Sequence, residues 1–119
     1  MDPANQLSIL NLAAALERVG GDSELLEEVA KLFLDSAPDL LGQIREAVGS
    51  RDPQALQHAA HTLKGSVGNF GAEAAFEAAL RLEKMGRAGD LTGIEEAYAA
   101  LESEMQRLEP ALASLAARG

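Results

Sequence analysis

The residues best suited to chemistry lie in one run, His58-Ala59-Ala60-His61-Thr62-Leu63-Lys64-Gly65-Ser66-Val67-Gly68-Asn69-Phe70-Gly71. An imidazole can act as nucleophile, base or metal ligand near neutral pH. Lys64 follows His61 by three residues, where its ammonium could neutralise an anion on the ring, and Gly65 and Gly68 clear space beside it. Together these residues suit a histidine that receives a phosphoryl group from a docked partner; the bland alternative is a histidine on a solvated helix face. His58-x-x-His61 also has metal-site spacing on a helix. The chain has no Cys, however, and no carboxylate stands one turn away on that face. His58 therefore reads as a solvated neighbour that shapes a docking surface.

Positioning these groups requires a helix with two unlike faces. At ~100° per residue, Leu56, Ala60, Leu63 and Val67 fall on one narrow apolar stripe, with His58, His61, Lys64, Gly65 and Gly68 opposite. Burying the stripe pushes His61 and Lys64 outward. Glycine costs roughly 1 kcal/mol against alanine inside a helix. Two glycines on an exposed face need a reason, and close approach of another molecule is one. The docking surface is expected to include Gly68, Phe70 or nearby side chains.

The neighbouring segments predict what supports this helix. Asn11 caps a short helix carrying Leu12, Leu16 and Val19, which Gly20-Gly21 ends. Asp22 caps a second helix with Leu25, Leu26, Val29, Leu32 and Phe33 at helical spacing. Pro38 predicts a kink or short break near Ser36-Ala37, after which Leu40, Leu41, Ile44, Ala47 and Val48 continue the apolar face to Gly49. Asp52-Pro53 opens the His61 helix, which runs to about Asn69, with Phe70 free to turn back into the core. A further helix covers about Ala72 to Met85, with Gly86 and Gly89 ending it. Ala72, Ala75, Phe76 and Ala79 share its inner face, and Glu83 lies on the same line. A carboxylate on an inward stripe needs a partner or access to water. Asp90 is expected to cap the last helix, whose seam runs from Leu91 through Ile94, Tyr98, Leu101, Met105, Leu108 and Leu112 to Leu115. Pro110 predicts a bend or fraying of its last two turns.

Composition sets the class. The chain has 119 residues, no Trp, one Tyr and three Phe, and is rich in the helix formers Ala and Leu, with no stretch alternating at period two. The expectation is a single all-α domain over residues 1–119: an antiparallel four-helix bundle, up-down-up-down, with a short extra N-terminal helix. Its core spans about residues 22–117, after a weakly structured lead-in over 1–10. A net charge of −9 argues against nucleic acid or an anionic membrane as partner. With no Cys there is no disulfide and no thiol metal site. No apolar run approaches the ~20 residues of a membrane span, and no signal peptide is visible, so a cytoplasmic domain is expected.

The run Ala60-His61-Thr62-Leu63-Lys64-Gly65, followed by Asn69-Phe70-Gly71-Ala72, Leu82-Glu83 and Gly86-Arg87-Ala88-Gly89-Asp90-Leu91, resembles the histidine-containing phosphotransfer (HPt) domain family. The resemblance covers nearly the whole chain in helix order and length. It implies a phosphorelay intermediate: His61 takes a phosphoryl group from an aspartyl phosphate on one receiver domain, or from a kinase, and passes it to an aspartate on another. It further implies Nε2 as the attacking nitrogen, Lys64 as counter-charge, and Gly65 as the space that admits the receiver. Many relatives carry Gln or Glu at the place of Glu83, which implies that Glu83 accepts a hydrogen bond from Nδ1–H of His61. The alternative is a partly solvated carboxylate paired with a lysine such as Lys64. The family is usually monomeric, its partners are receiver domains of response regulators or of a hybrid histidine kinase, and the Mg²⁺ and acidic pocket belong to the receiver, so the chain is expected to need no cofactor of its own. Two other readings remain open: an interaction module in which His61 is incidental, and a small enzyme using His61, which lacks a second catalytic group or a Gly-rich phosphate cradle.

Overall fold

The computed structural model describes residues 9–117. Residues 1–8 of the expected lead-in lie outside the described residues; Ile9 and Leu10 are half-buried and pack against the core. Five helices follow: α1 Leu12–Arg18, α2 Ser23–Ser50, α3 Pro53–Gly68, α4 Glu73–Ala88 and α5 Ile94–Ala116. Among the described residues there is no strand. Helices α2 to α5 form the expected four-helix bundle, in which each helix packs on its neighbours in sequence and α5 closes the ring on α2. Helix α1 lies against α2 and is tied to the end of α3 by Asn11 N–H, which donates to the Phe70 carbonyl at 2.9 Å.

Three side chains start helices as their sequence positions require. Asn11 Oδ1 accepts from Ala14 N at 3.1 Å, Asp22 Oδ1 from Leu25 N at 3.1 Å, and Asp52 Oδ1 from Ala55 N at 3.2 Å. Each satisfies one of the amide donors that an N-terminus leaves without a helical partner. Asp90 does not cap α5. Its Oδ1 accepts from Thr92 N at 3.1 Å, closing a local turn, and Gly93 in the left-handed conformation precedes the helix. A short acidic side chain can bond an amide two residues on as readily as one three residues on, and here the turn wins.

Neither internal proline ends its helix. Helix α2 is 28 residues long, about 42 Å at 1.5 Å per residue, which matches the 41 Å long axis of the molecule. It passes Pro38 without the expected break. Pro38 lies on the exposed face, where its ring displaces no core side chain, while Ala37, Ile44 and Ala47 hold both halves in the core. Helix α5 likewise continues beyond Pro110 to Ala116, with Leu112 and Leu115 buried.

Leu56, Ala60, Leu63 and Val67 of α3 are completely buried, with Leu26 and Ile44 of α2, Leu82 of α4 and Leu101, Met105, Leu108 and Leu112 of α5 around them. Phe70 turns back into this core beyond the end of α3 and meets Phe33 with ring centroids 5.7 Å apart and planes tilted by 56°. Tilted rings bring an edge of one against the face of the other, a favourable arrangement. Phe70 is therefore lost to the docking surface where it was expected.

Gly86 also departs from the expectation. It lies inside α4, and the helix ends at Gly89, whose φ of +70° suits the left-handed stop. Gly86 serves instead to bring two helices together. A Cβ there would stand 2.6 Å from the Pro53 carbonyl oxygen and 2.7 Å from the Gln57 nitrogen. The contact sets the spacing of α3 and α4 at the level of the chemistry-bearing residues.

Candidate functional site

Helix α3 presents His61 and Lys64 one turn apart, because its opposite stripe is committed to the core. The His61 side chain is 65% exposed, and its Nδ1 lies 2.9 Å from Glu83 Oε2 on α4. Glu83 is 2% exposed, the only charged residue in the core among those described. Its position on the inward stripe of α4 is what the sequence predicts; its burial is deeper than the partly solvated alternative allows.

Three groups compensate this carboxylate. Lys64 Nζ lies 2.7 Å from Oε1, and Arg87 Nη2 donates to Oε2 at 2.8 Å, the same oxygen that faces His61. The Lys64 ammonium approaches outside the angular range of a good hydrogen bond, so Oε1 has an ion-pair partner without an aligned donor. That ammonium also stands 5.9 Å from the centroid of the Phe76 ring. Burial pushes the Glu83 carboxyl up, but the contacts with Lys64 and His61 outweigh it and hold the group below the usual carboxylate range.

The charge state dictates the tautomer. An ionised carboxylate only accepts hydrogen bonds. Nδ1 of His61 must therefore carry the proton in the contact with Glu83, and the lone pair of the neutral ring is on Nε2. The ring is held at one nitrogen and exposed over most of its remaining surface. Glu83 thus meets both expected partners, His61 and Lys64, at different oxygens.

A shallow groove of about 400 Å³ borders the ring on one flank, lined by Gln54, Gln57, His58, His61, Glu83 and Arg87. Lys64 takes no part in that wall, so the two cations flank the imidazole on different sides. The glycines also separate. A Cβ on Gly65 would meet nothing within 4 Å, whereas one on Gly68 would rest 3.5 Å from the Phe76 ring. Gly65 is therefore small for no reason internal to the fold, while Gly68 is partly a packing position. Among the described residues no group of three or more His, Asp or Glu is placed to hold a metal ion, and His58 remains an exposed neighbour.

Arg87 is the site residue that the sequence patterns did not single out as functional. Its signal was present: it follows Glu83 by four residues, the spacing at which an acid and a base on one helix face meet. Exposed apolar side chains lie to the other side of α3. Leu32 of α2 is 65% exposed, beside a hollow whose walls include Val29, Ser66 and Asn69. No described helix is long and apolar enough to cross a membrane.

The Hpt domain family matches residues 28–111 of the chain. A comparison with curated proteins gives no match. Among solved structures, the chain is similar to histidine-containing phosphotransfer protein B (HptB) from Pseudomonas aeruginosa PAO1, with 22% identity and a TM-score of 0.84 over 92% of this chain and 96% of that one. It is also similar to the HPT domain of a sensor hybrid histidine kinase from Shewanella, with 24% identity and a TM-score of 0.81 over 95% and 97% of the two chains. These likenesses extend the shared fold over nearly the whole described bundle. With the family match spanning most of the four-helix bundle that carries His61, the chain belongs to the Hpt domain family, the histidine phosphotransfer proteins of two-component phosphorelays.

Proposed function

We propose that His61 is the phosphoacceptor, taking a phosphoryl group at Nε2 from an aspartyl phosphate of one receiver domain, or from a kinase, and passing it to an aspartate of another. The observation that carries this reading is the 2.9 Å contact from His61 Nδ1 to the buried Glu83 carboxylate, on a ring whose side chain is 65% exposed. It commits the proton to Nδ1 and leaves the nucleophilic lone pair at Nε2.

In the forward step the Nε2 lone pair forms the N–P bond while the P–O bond to the donor aspartate breaks. The electron pair leaves on the donor carboxylate. Nδ1 keeps its proton, the ring becomes cationic, and Glu83 stabilises that charge across the same hydrogen bond. Return transfer reverses each change on a second aspartate. Phosphoryl transfer is mostly positioning and charge stabilisation, and Lys64, one turn from His61 on the same helix, is the cation placed to offset the phosphoryl oxygens. A chain with a net charge of −9 nevertheless gathers Lys64 and Arg87 around His61, which supports an anion at this place. In this proposal the receiver supplies Mg²⁺ and the acidic pocket, and the phosphocarrier needs no cofactor of its own.

The receiver docks over the exposed side of α3, with Gly65 admitting its active site and Leu32 of α2 offering apolar contact. In this proposal the carrier acts as a monomer in the cytoplasm, where ATP-derived phosphoryl groups are available. The test is incubation with phosphorylated receiver domains or histidine kinases. An acid-labile, base-stable phosphate that disappears in His61→Gln is the expected result. Absence of label with every plausible donor, or label that survives the substitution, overturns the assignment.

A further inference from the structure

Glu83 Oε2 is shared by His61 Nδ1 at 2.9 Å and Arg87 Nη2 at 2.8 Å, while Oε1 faces Lys64 alone at 2.7 Å. We propose that Arg87 is a positioning residue that holds Glu83 compensated when Lys64 leaves it for the phosphoryl group on His61. The inference rests on the reading of His61 as phosphoacceptor and Lys64 as its counter-charge.

The argument begins with a conflict. Lys64 has two anions to serve, the Glu83 carboxylate and the incoming phosphoryl group, and one ammonium. Glu83 is 2% exposed with its partners in place, so a departing cation leaves a carboxylate that is largely enclosed by protein. Stripping a partner from a buried charge is far more costly than breaking an exposed pair. Without a second cation, Glu83 would hold Lys64 back and oppose the charge that transfer requires.

Arg87 resolves the conflict by its placement. It stands four residues after Glu83 on the same helix, so its contact does not depend on how α3 or a docked partner moves. Its hydrogen bond to Oε2 is aligned, whereas Lys64 meets Oε1 out of line. The guanidinium is a rigid planar fork, while the lysine ammonium swings on a flexible four-carbon stem. Lys64 is also on the helix of His61, three residues on, within reach of an anion at Nε2. Lys64 makes the shorter contact and is the more buried side chain, at 20% exposed against 58% for Arg87. What separates the two is attachment, since Lys64 shares the helix of His61 and can turn to the phosphoryl group, while Arg87 stays beside Glu83 on α4. The bond changes are those of the transfer above; the motion of Lys64 breaks only its ion pair.

Phosphoramidate tests this without a protein partner. The Nε2 lone pair attacks its phosphorus, the P–N bond breaks, and the amine leaves as ammonia. The rate of phosphohistidine formation, read by ³¹P NMR on the full chain, is compared for wild type, Lys64→Met, Arg87→Met and the double variant. Arg87→Met is expected to slow labelling by roughly tenfold in the wild-type background, the order of one charge-assisted hydrogen bond, and to have a clearly smaller effect in the Lys64→Met background, where no ammonium is left for Glu83 to hold back. Arg87→Lys should recover most of the rate. The imidazole ¹⁵N shifts should keep the Nδ1–H tautomer in Arg87→Met, because Glu83 is then held by Lys64. An equal loss in both backgrounds overturns the proposal, since Arg87 would then act on the phosphoryl group itself. So does no loss in wild type, or a changed tautomer. Failure of the underlying reading looks different: Lys64→Met labels at the wild-type rate, or His61→Gln still acquires phosphate.

Discussion

Gly86 of α4 lies so close to Gln57 of α3 that a Cβ would stand 2.7 Å from the Gln57 nitrogen. One turn further along each helix, in opposite directions, stand Glu83 and His61, 2.9 Å apart at their polar atoms. The hydrogen bond therefore depends on a backbone approach that only glycine permits.

Gly86→Ala places two effects in opposition. Alanine gains about 1 kcal/mol in helix propensity over glycine. The added methyl, however, meets backbone atoms that cannot turn aside, and overpacking of this kind costs about 1–3 kcal/mol. The clash should win, with a net loss of about 1–2 kcal/mol in denaturant unfolding. Imidazole ¹⁵N shifts should also show His61 losing its preference for the Nδ1–H tautomer. A stabilised variant with the tautomer intact would show that the two helices have slack between them.

Glu83 gives the protein a pH dependence of known sign. Burial raises its carboxyl pKa, the contacts with Lys64 and His61 lower it by more, and the folded value lies below the ordinary 4.5. A group depressed in the folded state contributes stability that is fully present above its unfolded pKa and is lost as pH falls through the folded one. Wild type should therefore lose this contribution as pH falls from about 4.5 towards the folded value. Glu83→Gln keeps an acceptor for His61 Nδ1–H but has no proton to bind, so its stability should fall less steeply in that window. Equilibrium unfolding at a series of pH values checks it; parallel curves for the two proteins would remove Glu83 as a source of acid sensitivity.

What could be read from the sequence divides along physical lines. Asn11, Asp22 and Asp52 mark helix starts because a short polar side chain before an apolar repeat has one good use there. Asp90 carries the same signature, yet its carboxylate closes a turn on Thr92, a competition decided by the backbone that follows. Gly86 and Gly89 are alike in sequence; one permits close packing and the other a left-handed stop, and only the neighbouring helix distinguishes them. At the site, Glu83 was legible because a charge on an apolar stripe is an anomaly that demands a partner. That His61 is one of its partners was implied by the resemblance to the HPt family; the stripe alone left a lysine such as Lys64 equally open. The division of oxygens between His61, Lys64 and Arg87 depends on distances that helical periodicity does not carry.

Pro38 tests how a proline is accommodated. It lies in the exposed face of an unbroken α2, and the carbonyl it leaves without a helical donor is that of the half-buried Leu34. Pro38→Ala restores that amide and removes the ring, and should raise stability by up to ~3 kcal/mol. The gain should appear in denaturant unfolding with no change in phosphorylation of His61 by phosphoramidate. A neutral or destabilised variant would mean that α2 needs the proline to follow the curvature of the bundle.

Gly65 offers the sharpest separation of fold from function. A Cβ at this position meets nothing within 4 Å, and its backbone is ordinary α-helix, so no internal contact requires glycine. Gly65→Ala should accordingly stabilise the protein by up to about 1 kcal/mol. The same methyl stands on the face where a receiver must bring phosphorus to His61 Nε2. Displacing reacting atoms by about an ångström can cost on the order of a hundredfold in rate. Transfer from a phosphorylated receiver should fall by ~10- to 100-fold, while labelling by phosphoramidate, which needs no docked protein, stays at the wild-type rate. Raised stability with impaired transfer from the receiver alone would place the reason for Gly65 in the partner. Unimpaired transfer would mean that the receiver approaches His61 from the Arg87 side, along the groove lined by Gln54, Gln57 and His58.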